Sequence, residues 1–398
     1  MNRLDVFLES TRVGELALPS NNGIFFEYSP EFLATGMELS PLRLPLAPGA
    51  HSRHHPASVT LHGLFEDSLP DSWGTRIMND WFRAKGLGEP AITPLMRLAY
   101  IGERGFGALT YAPAETVESS EGGLGELYTA ASALDAGGPV DLGQLAAVGS
   151  SAGGARPKVA VWISGGTGLM TARAASPDAQ AWLVKFDTTS GRWFGPMEYA
   201  YALMGRAAGC DVPEVKLLTT EHAEGLRRHF AVRRFDRVGT RRLHYHSLAG
   251  MYQSTAGDLD YQTFLRVTRR ITADYRETLK AFRRAVFNVL ASNRDDHGKN
   301  QGFLYEKRQW RLSPAFDVTF ASAERMPERG MAVLGERRTA GLRQLQALAQ
   351  AESLEKKDVQ AVIDEVRAAV VEWPRFAAEA GLPDDIAASI QKSLRSVT

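Results

Sequence analysis

A polar loop that follows an apolar helical pattern is the feature that most restricts how this chain can fold. Apolar residues recur at helical spacing over 279–290 and predict a helix with one buried face. Residues 293–300 then read Asn-Arg-Asp-Asp-His-Gly-Lys-Asn, and β-prone runs at 302–305 and 310–312 predict a hairpin beyond them. The hairpin leads into Ser-Pro-Ala-Phe-Asp at 313–317.

Three oxygen-bearing side chains in this stretch have the spacing of a phosphoryl-transfer site. Asp295 is followed five residues later by Asn300 and, 17 residues beyond that, by Asp317. Kinases place a catalytic base and two magnesium ligands in this order. A hydroxyl nucleophile needs a carboxylate within hydrogen-bond reach, and Mg²⁺ prefers carboxylate and amide oxygens. The pattern favours Asp295 as base and Asn300 and Asp317 as metal ligands, although Asp and Asn alone are ordinary turn residues.

The remaining residues of the polar loop are expected to support this site. Asp296 adjoins the base, and we expect it to be solvated or structural. His297 is a candidate member of the ATP site, where it would orient the loop through a hydrogen bond rather than transfer a proton. Lys299 fits either a contact to ATP phosphate or an ordinary surface lysine.

A glycine-containing segment upstream indicates where phosphate would bind. Residues 149–158 read Gly-Ser-Ser-Ala-Gly-Gly-Ala-Arg-Pro-Lys and enter a predicted strand. Small residues there let backbone N–H groups approach phosphate oxygens. The segment is not a Walker loop, because Gly-Ala stands where Lys-Ser/Thr is required. Its candidate ATP contacts are Ser151, Ala152, Gly153, Gly154 and Lys158.

A lysine within an apolar strand predicts an anionic partner. Residues 182–186 read Trp-Leu-Val-Lys-Phe, so Lys185 would place a charge in a core unless it met an anion. ATP phosphate is the natural partner, and Glu198 on the following helix is the candidate counter-ion. Residues 102–107, Gly-Glu-Arg-Gly-Phe-Gly, lack the Lys or Ser/Thr of a phosphate loop and favour a tight turn.

Composition indicates a globular chain of two or three packed units. Its 398 residues include 46 basic and 46 acidic side chains, so the whole chain has no positive excess to attract nucleic acid. The single cysteine, Cys210, permits neither an internal disulfide nor a Cys-rich zinc module. No charge-free run approaches the roughly 20 residues that span a bilayer. A cytoplasmic protein without membrane contact is expected.

The predicted elements form an α+β chain with three parts. Residues 1–135 begin with β-prone runs at 4–8, 13–18 and 24–28 and end in an acidic, Gly/Ser-containing stretch over 113–138 that is typical of a linker. This part holds 9 basic and 17 acidic residues. The three predicted domains are an N-terminal accessory subdomain with linker at 1–135, a β-rich lobe at 136–238 and a helical lobe at 239–398.

Further motifs give the chain a family resemblance. Residues 65–74 read Phe-Glu-Asp-Ser-Leu-Pro-Asp-Ser-Trp-Gly, and 233–237 read Arg-Arg-Phe-Asp-Arg. With 149–158, 293–300 and 312–317 they occur in the order found in the HipA family, which comprises toxin kinases of type II toxin–antitoxin systems. The chain resembles this family over nearly its whole length.

The resemblance implies a fold, a reaction and partners. The expected fold is a two-lobed protein-kinase-like fold, with a small β-rich N-lobe and a helical C-lobe, preceded by a β-rich N-terminal subdomain. The expected activity uses ATP and Mg²⁺ to phosphorylate a Ser or Thr of a translation component such as glutamyl-tRNA synthetase. A HipB-like helix-turn-helix antitoxin would neutralise the protein, and DNA would be contacted only through that antitoxin.

The resemblance also implies roles for individual residues. Asp295 matches the family's catalytic base, Asn300 and Asp317 its magnesium ligands, and Lys185 its ATP-phosphate lysine. Ser151 matches the loop serine whose autophosphorylation inactivates family members, with Ser150 as the alternative register. Arg233 and Phe235 lie in the segment that would form the adenine-binding hinge, where Arg233 replaces the Glu of many relatives.

Two other functions are compatible with the sequence. The chain could be a nucleotide-binding regulatory module, or a corepressor partner of a helix-turn-helix antitoxin, with little catalysis. A metal-dependent hydrolase could instead use His244, His246, Asp295 and His297, and would need a bound transition metal. Direct DNA recognition is disfavoured, because no helix-turn-helix pattern stands out.

Overall fold

The structure, a computed structural model, contains a sheet-rich N-terminal region, a second sheet region and a helical region. Residues 150–153 lie outside the described part of the chain, so the candidate residues Ser150, Ser151, Ala152 and Gly153 are not placed. The described residues are 1–19, 23–53, 61–118, 122–138, 142–149, 154–165, 170–174, 176–189, 193–222, 225–255 and 257–395.

The N-terminal region is built on an antiparallel sheet with strand order β4-β3-β2-β1-β5. Alternate residues such as Leu4 and Val6 are buried, as expected for strands with one face on a core. The three strands predicted at the start of the chain are confirmed. The strands are β1 (Arg3–Leu8), β2 (Thr11–Ala17), β3 (Phe25–Tyr28), β4 (Ala50–Ser52) and β5 (Leu109–Ala112).

Helices of the N-terminal region connect its sheet to the rest of the molecule. Trp73 and Ile77 of the long third helix share a buried cluster with Val159 and Trp182 of the second sheet. The two regions therefore have a common core, and the predicted domain boundary at residue 135 stays a prediction. The helices are α1 (Pro30–Leu33), α2 (Gly63–Glu66), α3 (Ser72–Ala84) and α4 (Pro94–Ile101).

The linker predicted over 113–138 is wrong for its second half. Residues Leu124–Asp135 form helix α5, which is followed by the short helix α6 (Leu142–Ala146). Leu127, Ala131 and Leu134 lie at i, i+4 and i+7 and are buried in the core shared with α3. The Gly- and Ala-containing composition is typical of a linker, but this spacing supplies an apolar helical face that packs.

The second sheet is antiparallel with strand order β7-β6-β8-β10-β9. Its register places Lys158 of β6 directly opposite Lys185 of β8. Helix α7 (Phe194–Ala207) packs on this sheet and carries Glu198. The strands are β6 (Lys158–Ile163), β7 (Met170–Thr171), β8 (Gln180–Lys185), β9 (Val215–His222) and β10 (Gly225–Arg233).

The helical region begins after two short strands, β11 (Arg237–Val238) and β12 (Arg241–Arg242). A three-stranded sheet follows, formed by β13 (His244–Ser247), β14 (Gly302–Glu306) and β15 (Gln309–Leu312). The predicted hairpin is β14–β15, and the predicted apolar helix is α10, so both predictions are confirmed. The helices are α8 (Leu248–Tyr252), α9 (Tyr261–Thr272), α10 (Tyr275–Leu290), α11 (Leu342–Ala351), α12 (Lys356–Val371), α13 (Trp373–Ala380) and α14 (Asp384–Arg395).

The core of the helical region surrounds α10, whose Phe282, Val286 and Leu290 are completely buried. Helix α7 packs on this core through Tyr201, whose ring lies 5.2 Å from that of Trp373. The second sheet and the helical region are thereby held together at one side. Within the described ranges, no helix combines the length and apolar character needed to cross a bilayer.

Candidate active site

A cavity, whose empty volume is about 1080 Å³ when its opening to solvent is included, lies between the second sheet and the helical region. One part of its wall is apolar and another part is charged. A cavity with apolar walls and a few convergent polar groups is suited to an organic ligand with an ionised end. The apolar wall includes Leu183, Val232, Phe235 and Phe316, and the charged wall includes Lys185, Glu198, Lys299, Asn300 and Asp317.

One face of the 293–300 loop is turned toward solvent at the cleft. The Asp295 side chain is 50% exposed, and one of its carboxylate oxygens lies 3.5 Å from His297 Nε2. Asn300 Nδ2 donates a 2.9 Å hydrogen bond to the backbone oxygen of Asp295. This bond closes the loop and orients the Asn300 amide, whose oxygen is left as the atom suited to a metal ion.

The other face of the same loop is fixed in the interior. Asp296 is 0% exposed and accepts hydrogen bonds from Tyr261 Oη at 2.6 Å, Arg329 Nη1 at 3.0 Å and Met331 N at 3.3 Å. Asn288 Nδ2 donates to the same Tyr261 hydroxyl at 2.9 Å. Burial raises the pKa of Asp296, although these donors favour its ionised form. The expectation that Asp296 is structural agrees with this arrangement.

A charged cluster joins the sheet to the segment that follows β15. Lys185 Nζ lies 2.6 Å from Glu198 Oε2 and also contacts Asp317 Oδ1. Burial opposes the charged form of Lys185, but the two carboxylates outweigh it and raise its pKa. Burial likewise opposes ionisation of Asp317, yet Lys185 and Lys158 lower its pKa to about 2. Asp317 is therefore an ionised carboxylate that faces the cavity.

Lys158 adds a second buried cation beside Lys185. Like charges opposite each other in a sheet repel, so this pair requires anions nearby. Burial and the neighbouring Lys185 lower the pKa of Lys158 to about 8, against the attraction of Asp317. The φ of Gly154 is +104°, a backbone conformation that residues with a side chain rarely adopt, so this position favours glycine.

The predicted hinge segment forms the apolar end of the cavity. The Phe235 ring lies 5.4 Å from Phe316 and 5.3 Å from Phe106. Arg233 is bound to the residue that precedes β9, because its N–H donates to Glu214 O at 2.8 Å and its guanidinium lies 3.5 Å from the Glu214 carboxylate. Both hinge candidates line the cavity.

The loop over 102–107 is a tight turn that docks on this hinge. Gly107 N donates to the buried Asp236 carboxylate at 2.8 Å, and Arg237 donates to Gly105 O at 2.9 Å. Arg242 donates to the backbone oxygens of both glycines. The carbonyl oxygens of Gly105 and Gly107 accept from arginines and the Gly107 N–H is taken by Asp236, so these backbone groups hold the loop on the protein and are not presented to a phosphate.

Several cavity residues that the sequence reasoning missed come from the N-terminal region, and two of them stand out. Phe106 reaches the hinge from the 102–107 loop, and Asp71 lies at the start of α3. Residues 65–74 contribute to the family resemblance, but that motif predicts no role for Asp71. Their positions depend on contacts with residues far away in the chain, and no local pattern reports such contacts.

The residues present fit a magnesium ion held together with phosphate. Asn300 and Asp317 line one cavity with an amide oxygen and an ionised carboxylate, which are hard ligands. Among the described residues, no group of three or more His, Cys, Asp or Glu could hold a metal by itself. His244 Nε2 bonds to Leu39 O at 2.9 Å, and His246 bonds to Ser40 and Asp67. The two histidines are thus committed to the fold, which removes the support for a metal-dependent hydrolase.

Comparison with known protein families identifies the chain. The model of the HipA-like C-terminal domain matches residues 150–373, and that of the HipA N-terminal domain matches residues 4–112. The chain belongs to the HipA family. The family resemblance predicted from the sequence is confirmed. The two matched domains together include every described candidate residue of the cleft, and also the residues that the N-terminal region contributes to it.

One curated protein and one solved structure show what this chain is similar to. The curated protein "Putative kinase Y4dM" of Sinorhizobium fredii is 31% identical over 153 residues, which is 35% of this HipA-family chain and 37% of that protein. A solved structure, the HipA, HipB and operator DNA complex of the Shewanella oneidensis toxin–antitoxin system, has 17% identity and a TM-score of 0.72. The match covers 99% of this chain and 95% of the Shewanella oneidensis chain. This likeness confirms the two-lobed, kinase-like α+β fold.

Proposed function

We propose that this HipA-family protein is an ATP- and Mg²⁺-dependent serine/threonine protein kinase that acts as the toxin of a toxin–antitoxin system. The observation that carries the proposal is that Lys185, Asn300 and Asp317 line one cavity, and that Asn300 is bonded to the backbone oxygen of the half-exposed Asp295. These are the groups that phosphoryl transfer requires, since it depends on positioning and on neutralising phosphate charge.

The surroundings of each residue support the role that we propose for it. Asp295 is exposed on the open side of the loop, where it accepts the proton of a substrate hydroxyl. Lys185 and Lys158 bring positive charge to phosphate oxygens, and Glu198 keeps Lys185 in position. Asn300 and Asp317 would hold magnesium, which when bound neutralises charge on the transferred phosphate. The apolar wall at Phe235 would receive the adenine ring.

The proposed regulation and partners are those that the family resemblance implies. The related solved structure is named for a complex of HipA with HipB and operator DNA, and we extend that arrangement to a helix-turn-helix antitoxin for this chain. The proposed substrate is a Ser or Thr of a translation component, such as glutamyl-tRNA synthetase, in the cytoplasm. Autophosphorylation of Ser151, or of Ser150, would add about −1.5 to −2 charges beside ATP phosphates and inactivate the enzyme.

The test is transfer of labelled phosphate from ATP into a fractionated lysate, with wild type compared with Asp295→Ala. We expect the variant to lose several orders of magnitude of activity, because positioning and electrostatics supply nearly all of this catalysis. Asp364→Ala, which removes an exposed carboxylate from α12, is the matched control. Equal transfer by Asp295→Ala and wild type overturns the assignment. Tight ATP binding by calorimetry without transfer favours the regulatory-module alternative.

A further inference from the structure

One segment of the N-terminal region crosses the cleft and contacts both of its sides. We call residues 66–73 the strap. Toward the helical region, the Asp67 carboxylate accepts from Ser247 N and Ser247 Oγ, each at 2.6 Å, and lies 2.6 Å from His246 Nδ1. Toward the second sheet, Trp73 Nε1 donates to Lys158 O at 2.9 Å. Both ends of the strap are therefore anchored, one on each side of the cavity.

Asp71 lies between these two anchors and bridges the cleft with its own carboxylate. Its Oδ2 accepts a 2.7 Å hydrogen bond from Gly154 N, at the end of the glycine-containing segment. Its Oδ1 accepts a 2.7 Å hydrogen bond from Lys299 Nζ, on the polar loop. One side chain thus connects the phosphate-side backbone of the sheet region to a lysine of the loop that carries Asp295.

Asp71 uses its carboxylate for this bridge and not to cap its own helix. Asp71 is the N-cap residue of α3, and an N-cap aspartate usually accepts from the first turn of its own helix. In this structure its side chain makes no capping hydrogen bond. Burial opposes the ionised form, but the Lys299 ammonium and the Gly154 amide outweigh it and lower the pKa of Asp71. The carboxylate is charged and directed across the cleft.

Both groups that bond to Asp71 have considerable conformational freedom of their own, Lys299 in its side chain and Gly154 in its backbone. Lys299 has a long side chain that is 45% exposed, and Gly154 has the backbone freedom of glycine. A group that contributes to phosphoryl transfer must be fixed within a fraction of an ångström of its working position. A carboxylate bonded to both at once restricts the separation between them, and the anchored strap restricts the carboxylate.

We propose that Asp71 is a positioning residue of the active site, supplied by the N-terminal region, which sets the separation between Gly154 and Lys299. This inference rests on the proposed kinase function. It makes the N-terminal region a working part of the catalytic cleft, since the carboxylate reaches the cavity only when α3 is docked against the second sheet.

The experiment compares Asp71→Ala and Asp71→Asn with Asp80→Asn. Asp80 lies on the same helix and pairs with Arg83 on the surface, so its variant removes the same charge away from the cleft. We expect kcat to fall about 100-fold in Asp71→Ala and about tenfold in Asp71→Asn, with KM for ATP changed less than about threefold. Asp80→Asn should retain wild-type kcat and KM.

Hydrogen exchange in the absence of nucleotide provides a readout that does not depend on activity. Peptides that contain the Gly154 amide should exchange faster in Asp71→Ala, which lacks the acceptor, and stay protected in Asp71→Asn, whose amide oxygen still accepts. Unchanged protection in Asp71→Ala overturns the bridge, even if the wild type shows no phosphoryl transfer and the proposed function itself fails. A rise in KM with kcat unchanged, or a kcat of Asp71→Asn equal to that of Asp80→Asn, overturns the positioning role.

Discussion

The polar loop at 293–300 has two faces that use the same residue type in opposite ways. On the interior face, Asp296 is fully buried and accepts three hydrogen bonds from the protein. On the cleft face, its neighbour Asp295 is half-exposed, and His297 lies 3.5 Å away. The interior carboxylate uses its acceptor capacity to hold the loop, whereas the exposed one keeps its capacity for a substrate. Position in the fold, rather than residue type, separates the structural acid from the one proposed as catalytic base.

The largest expected effect is on stability, and it distinguishes alanine at Asp296 from alanine at its neighbour Asp295. Asp296→Ala leaves the Arg329 guanidinium buried without its carboxylate and should lower the free energy of unfolding by about 3–5 kcal/mol. Asp295→Ala removes a half-exposed group and should cost less than about 1 kcal/mol. Urea denaturation followed by tryptophan fluorescence measures both.

Asp296→Asn is a useful second variant, because its one amide oxygen can still accept from Tyr261, while the charge that faces Arg329 and the second acceptor oxygen, which Met331 N uses, are lost. It should be intermediate in stability between wild type and Asp296→Ala. If Asp295→Ala proved as destabilising as Asp296→Ala, the distinction between the two faces would be incorrect.

The second sheet should also respond to pH at the cleft, through Lys158, with a smaller effect. Its pKa of about 8 in the free protein means that it loses its charge between pH 7 and 9. Phosphate favours the charged form, so above pH 8 binding must first protonate the amine. ATP affinity should then fall with rising pH, at most about tenfold per unit, and binding should take up protons.

Calorimetry at pH 7, 8 and 9, in buffers of different ionisation enthalpy, measures both quantities. Lys158→Met should show neither the fall nor the proton uptake. Lys357→Met, which removes an exposed lysine from α12, should behave like wild type. An affinity that falls equally in wild type and Lys158→Met would assign the pH dependence to another group.

The smallest expected effect concerns the apolar wall supplied by the N-terminal region. Phe106→Ala removes a ring that lies 5.3 Å from Phe235 and 4.9 Å from Tyr245, and should weaken ATP binding by about 0.5–1.5 kcal/mol, or about two- to tenfold. The arginines that bind the backbone of this loop should hold it in place. Phe106→Leu, which keeps apolar volume, should retain most of the affinity. Wild-type affinity in Phe106→Ala would show that the ring does not contact the base.

Much of the local structure could be predicted from the sequence, because periodicity reports which face of one element is apolar. The helix before the polar loop, the hairpin after it and the opening strands are all present. Helix α5 was mistaken for a linker, because small residues separate the apolar positions at Leu127 and Leu134. The burial of Lys185 beside Glu198 and Asp317 followed the expectation that a lysine in an apolar strand meets an anion.

The sequence by itself determined the kinds of chemistry available, their order along the chain and the family. Only the tertiary structure decided which buried partners hold Asp296 in the interior, and that Asp71 and Phe106 reach a site more than 100 residues away in sequence. The physical reason is that spacing along the chain describes the faces of one helix or strand. Contacts between distant elements depend on how those faces pack, on the strand register that sets Lys158 opposite Lys185, and on the buried partners that orient each side chain.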